Sequence, residues 1–336
     1  MLSGTSIFCF AASYAVALAL EGSRLFFRSS VRGAVLLAFG AAGLLAHTIF
    51  LAYRASSEAM PLASEFDWYL VAAWLLAAVY LYLMLHFPRT AVGLFTLPLV
   101  LGLIAVAAKF ANRQPFPQTR ASQFWGTIHG AFLLLGAVAV LVGFVTGVMH
   151  LVQSYRLKHK LRAVQGFQLP SLEWLERTNS RATILAALML AVGFVSGLLL
   201  NLVNQAKHPG ESVPWTDPVV WSSGMLLVWM LAAALFSLLY RPARQGRKVA
   251  YLTVASFVVL VAMLGVQLVA PSVHGQKTKS QHGRVFRNAT ALAVRWDQRA
   301  CERRPARILD FGFWILDSAI QNPKSKIQNR DERGAT

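Results

Sequence analysis

Four of the eight histidines, His47, His129, His208 and His274, fall near the same end of successive apolar segments. Between two of those segments runs Q-A-K-H-P-G-E-S-V-P-W-T-D-P-V-V-W, residues 205–221, which adds Trp215, Asp217 and Trp221. Imidazoles beside tryptophans and glycines suit a haem: the iron takes axial imidazole, the macrocycle needs apolar and aromatic walls, and glycine lets a planar group approach the backbone. No metal-ligand spacing ties His129 to His274, so a plainer reading stands beside this one. Asp217 followed by Pro218 is a strong helix start, because the carboxylate caps free N–H groups and proline gives up a donor that lacked a partner. The tryptophans are then interfacial anchors. His47, inside an apolar run, is either a functional ionisable group or a neutral imidazole bonded to a neighbouring helix.

Other chemistries have less to work with. Cys9 and Cys301 are far apart and form no C-x-x-C, which removes dithiol redox chemistry and covalent haem attachment to this chain. The sequence shows no P-loop, no activated nucleophile and no general-base pair, so it reads as a non-enzyme with no catalytic residue. A small-solute transporter also lacks support, since no span carries a buried acid–base pair and no inverted repeat with broken helices is visible.

The elements that must position these residues are membrane helices. The chain has 336 residues, is 56% hydrophobic and only 14% charged, and its apolar runs reach the roughly 20 residues needed to span a bilayer. Eight runs are present, at about 4–22, 33–53, 67–86, 90–111, 124–152, 181–204, 217–240 and 248–270. The expected fold is an all-α integral membrane protein, a bundle of about eight transmembrane helices. The net charge of +18 does not point to nucleic acid, because Lys and Arg collect at helix ends. Arg24, Arg28 and Arg32, the basic run at 156–181, and Arg241, Arg244, Arg247 and Lys248 lie on one side, which puts both termini outside by the positive-inside rule. Helix 1 has no basic n-region and reads as a retained span in the cell (inner or plasma) membrane.

Local expectations follow in chain order. Glu65 and Asp67 favour the start of helix 3, with Trp68 and Tyr69 as interfacial anchors. His86 marks a helix end, and Pro98 is expected to kink helix 4. Helix 5 carries His129 about one turn below the outer surface and runs past the bilayer, with His150 and His159 on a solvated basic face. Residues 171–176 read as a separate amphipathic segment on the inner surface. Gly143-x-x-x-Gly147 and Gly193-x-x-x-Gly197 are helix-packing signals. Residues 1–275 form the membrane domain, and the basic stretch 276–336 reads as a disordered tail.

The order of elements resembles the cytochrome c assembly membrane proteins, the CcsA, CcmC and HemX-like group, over roughly residues 35–275. The resemblance is carried by H-T-I-F-L-A-Y-R…P-L-A-S-E-F-D-W-Y-L-V-A-A-W, by W-G-T-I-H-G-A-F-L-L-L-G, by L-E-W-L-E-R-T-N followed by G-F-V-S-G-L-L-L, by W-T-D-P and by His274. It implies non-covalent haem b held at the outer face, with His129 and His274 as axial ligands to the iron. Trp215, Asp217 and Trp221 then belong to a tryptophan-rich platform, and His47 joins the cofactor-binding set. The partners implied are the lipid bilayer, haem, a second cytochrome c maturation subunit and apocytochrome c. This sequence departs from the family's full motif, which has more tryptophans before the Asp and K-E-T-W after the Pro. Haem-transferring members often carry a histidine in the following helix, and none occurs between Asp217 and Arg241. These departures place the chain closer to the HemX-like branch, associated with haem biosynthesis or its regulation.

Overall fold

A backbone running through hydrocarbon has no water to bond, so each long Leu-, Ala-, Val- and Phe-rich run must satisfy its own N–H and C=O groups as a helix. The computed structural model describes residues 7–24, 32–57, 64–88, 90–113, 120–160, 167–207, 214, 216–239 and 247–269. These form eight helices: α1 Ile7–Ser23, α2 Arg32–Ser57, α3 Glu65–His86, α4 Gly93–Lys109, α5 Arg120–Lys158, α6 Leu172–Lys207, α7 Pro218–Leu239 and α8 Arg247–Val269. Among the described residues there is no strand, only an isolated bridge between Thr90 and Gln168. Six helices are long and apolar enough to cross a membrane. The exceptions, α1 and α4, have 17 residues each. At about 1.5 Å per residue such a helix reaches roughly 25 Å, the short limit for a bilayer core of about 30 Å.

The helices pack as two groups of four. In the first, α1 lies against α2 and α4, and α3 also lies against α2 and α4. In the second, α5 and α7 each pack against both α6 and α8, with α5 and α6 in the longest contact. The groups meet where α3 and α4 touch α5. Their ends are called outer and inner after the orientation that the loop charges imply.

The inner end is tied across both groups. The Ala91 N–H donates to the Gln168 carbonyl at 2.9 Å, and the Phe87 ring meets Trp174 edge-on with centroids 5.0 Å apart. Leu83, Val92, Val145, Met149 and Leu175 close a small apolar cluster there. Arg24 follows α1 and donates to the carbonyls of Thr90 at 2.8 Å and Pro88 at 3.1 Å, while its Nε lies 3.1 Å from buried Glu21.

Two local expectations need correction. Residues 171–176 are no separate surface segment: Ser171 Oγ accepts from the Trp174 N–H, and the helix begun there continues unbroken as the 36 residues of α6. Nothing between Glu176 and Thr183 is a breaker, so an existing turn extends at little cost. His150 is not on a solvated face either; it is 6% exposed, whereas His159 is exposed and rests on Tyr155. His86 does end α3, its Nδ1 bonded to the Tyr82 carbonyl at 3.0 Å.

Candidate functional site

The outer end of α3 is densely bonded. Ser64 is the N-cap and forms a reciprocal capping box with Asp67. Buried Asp67 also binds Arg54 from the last turn of α2 as an ion pair. The guanidinium groups of Arg54 and Arg113 lie 4.9 and 5.0 Å from the centre of the Phe66 ring. Phe66 N–H donates to the Asn112 carbonyl at 3.2 Å, and the Asn112 N–H donates to Glu65 at 3.3 Å. The acids at 65 and 67 therefore do more than favour a helix dipole. They lock the ends of α2, α3 and α4 together.

That corner sets Trp68 beside α5. A Cβ placed on Gly130 would lie 2.7 Å from Trp68 Cζ2, so the indole rests against the backbone of the residue that follows His129. His129 itself turns to α6. Its Nδ1 donates to the Gly193 carbonyl at 2.6 Å, and a Cβ at Gly197 would fall 2.5 Å from its Cε1. A carbonyl can only accept, so the proton of the neutral ring is on Nδ1 and the lone pair on Nε2. Backbone-anchored imidazole of this tautomer is the form in which histidine commonly ligates a metal. Ser196 Oγ bonds the same Gly193 carbonyl at 2.7 Å and steadies the acceptor.

The Gly193-x-x-x-Gly197 pair thus has a second task besides close helix packing. Its first carbonyl orients the imidazole and its second glycine leaves the berth the ring occupies. Sequence reasoning missed both, and it read Trp68 only as an interfacial anchor. The only signal available was that small residues on α6 stand opposite a histidine on α5.

Asp217 starts α7 as its sequence suggests. Its Oδ1 accepts from the Val219 N–H at 2.8 Å, its own N–H donates to the Pro214 carbonyl, and Pro218 takes the first helical position. Trp221, one turn on, is 70% exposed. His208, Trp215 and His274 lie outside the described residues, so the structure neither joins His274 to His129 nor separates them.

His47 stands apart from His129, in the other helix group. Its ring is fully buried, stacked on Phe10 of α1 at 4.1 Å with a 3° interplanar angle, and approached edge-on by Tyr14 at 6.2 Å. Neither ring nitrogen has a hydrogen-bond partner among the described residues. The expected alternative of an imidazole bonded to a neighbouring helix is therefore not what forms; the ring is held by stacking. Among the described residues no three His, Cys, Asp or Glu side chains gather into a group able to hold a bare metal ion. What the outer end offers is isolated imidazoles in apolar and aromatic surroundings.

The family profile described as Cytochrome C assembly protein matches residues 38–274, most of the 336-residue chain. The chain belongs to the cytochrome c assembly protein family. It is a multi-pass membrane protein with a role in cytochrome c maturation. No curated protein and no solved structure matches it. The matched span of this cytochrome c assembly protein starts inside α2 and runs through His274, so it takes in every candidate site residue named above.

Proposed function

We propose that this cytochrome c assembly protein binds non-covalent haem b at the outer face of the cell membrane and handles it for cytochrome c maturation. The observation that carries the reading is the His129 berth. An imidazole fixed through Nδ1 by a backbone carbonyl, set over one glycine and followed by another that an indole covers, is built for orientation rather than for bulk packing. His129 and His274 would hold the iron, and Trp215 and Trp221 would wall the ring. Asp217 caps the start of α7, two residues after Trp215 in sequence. His47 is a third imidazole of the same reading, supported by its unsatisfied ring nitrogens, since a buried polar group with no partner needs a reason. The haem supplies the iron chemistry; the protein's residues bind it, orient it and keep water from its faces. A second maturation subunit and apocytochrome c are the partners this role requires.

The chain purified in detergent from haem-replete cells is expected to show a Soret band, and the His129→Ala, His274→Ala double variant to lose it. A colourless protein that cannot be reconstituted with haem would overturn the proposal.

One observation favours a second reading. After Asp217-Pro218 come Val219, Val220 and Trp221 instead of K-E-T-W, and α7 has no histidine. This suits a HemX-like membrane regulator or scaffold of haem biosynthesis that does not transfer haem. Under it, deleting the gene changes haem precursor levels while cytochrome c matures normally.

A further inference from the structure

At the inner end of the second helix group, α6, α7 and α8 leave a cavity of about 370 Å³. Among the described residues its lining carries both signs of charge: Glu173, Glu176, Arg177 and Arg181 come from α6, with Ser180 beside them and Ser237 facing from α7. The α6 residues recur at three- and four-residue steps and so share one side of the helix. The hydroxyls of Ser180 and Ser237 are 3.4 Å apart. Glu173 and Arg177 pair with each other, whereas Glu176 and Arg181 have no ion-pair partner among the described residues. One acid and one base, both uncommitted, thus line the same cavity.

The side of α6 that carries Arg177 and Arg181 does not stop there. At alternating steps of four and three it continues through Leu185, Leu188, Val192, Val195, Leu199 and Leu202, all of them exposed. Its other side, with Leu175, Asn179, Ala186 and Leu190, is buried in the bundle. An exposed apolar stripe alone only faces lipid. This one ends in a cavity with charges of both signs, and that pairing has the outline of one amphipathic molecule.

We propose that the cavity and the adjoining stripe of α6 bind a single zwitterionic glycerophospholipid of the ethanolamine type: Arg177 and Arg181 take its phosphate, Glu176 its ammonium, and the Leu–Val stripe one acyl chain. Guanidinium groups match phosphate oxygens in a fork geometry that few other groups provide. Sites for anionic lipids are clusters of one sign, and here two acids would stand against a purely negative headgroup. A primary ammonium keeps N–H donors for Glu176, and a trimethylated choline has none.

The full chain in detergent, titrated with dioleoyl phosphatidylethanolamine, phosphatidylcholine and phosphatidylglycerol and read by native mass spectrometry, tests this. Wild type is expected to retain the ethanolamine lipid about tenfold over the other two, the scale of one charged hydrogen bond. Glu176→Gln should erase that preference by weakening the ethanolamine lipid, should leave the choline lipid unchanged and should raise the glycerol lipid by removing a repelling charge, and Glu176→Asp should keep the wild-type order. Arg181→Gln should weaken all three. Soluble phosphoethanolamine should compete poorly, because it lacks the chains. Unchanged helicity and elution show that the variants fold. Equal retention of the three lipids by wild type, a preference for the glycerol lipid, a preference that survives Glu176→Gln, or competition by soluble phosphoethanolamine at lipid concentrations would each overturn the site.

Discussion

A methyl group at position 197 would sit 2.5 Å from His129 Cε1, so Gly197→Ala forces the imidazole out of its berth or α6 away from α5. The expected cost is about 1–3 kcal/mol, the range for inserting a methylene into a packed core. Thermal unfolding in detergent measures it, and on the proposed function the Soret band of the variant should shift or weaken as well. Gly265 is the control: nothing lies within 4 Å of its Cβ position, so Gly265→Ala should be neutral or stabilise α8 by up to about 1 kcal/mol. Cap chemistry gives a second residue-scale test. Asp217→Ala removes the oxygen that accepts from Val219 N–H and should cost about 0.5–2 kcal/mol, whereas Asp217→Asn keeps an acceptor and should cost little. The cap was legible because Asp-Pro is a signal between neighbours. The His129 berth was not, because its acceptor lies 64 residues away on another helix and no local pattern encodes that pairing.

Among elements, α3 depends on a charged partner outside itself. Asp67 caps its first turn and pairs with Arg54 of α2, both side chains mostly buried. Removing one member of a buried pair leaves the other charge uncompensated, so Asp67→Ala should cost about 3–5 kcal/mol, clearly more than Asp217→Ala. Replacing both, as Arg54→Met with Asp67→Leu, should recover part of that loss. A double-mutant cycle on melting temperatures decides it, and additive losses would show that the pair is not coupled. Hydropathy made the eight helices legible, since a long uncharged run has little alternative inside a membrane. It misjudged α6, where charged residues in the first turns suggested a break although no residue there stops a helix. It also misplaced His150, because nearness to a basic run says nothing about which side of the helix a residue occupies.

At the scale of the molecule, the described helices form two groups of four joined along α5, and the positive-inside rule predicts one orientation for both groups. A reporter active only outside the membrane should work when fused to either terminus and fail when inserted between α5 and α6. A working reporter in that inner loop would reverse every outer and inner label and place His129 on the opposite face. Architecture and site differ in how far the sequence could reach. The helix count follows from composition; the grouping follows from contacts such as Trp68 on Gly130, which no single helix specifies.

The clamp made by Arg24 has a consequence for how the protein is made. Its acceptors, the carbonyls of Pro88 and Thr90, leave the ribosome 64 and 66 residues after it. At about 5–20 residues per second, α1 waits roughly 3–13 s in the bilayer before they exist. During that interval Arg24 is only a topogenic charge holding its end of a 17-residue helix at the surface. Once α3 and α4 arrive, the same guanidinium becomes a latch that fastens the first helix made to the loop between them. A chain with Arg24→Ala keeps Arg28 and Arg32 as topogenic charges, so it should insert in the right direction and then fail to close its first four helices, seen as protease sensitivity in α1 without a change in topology.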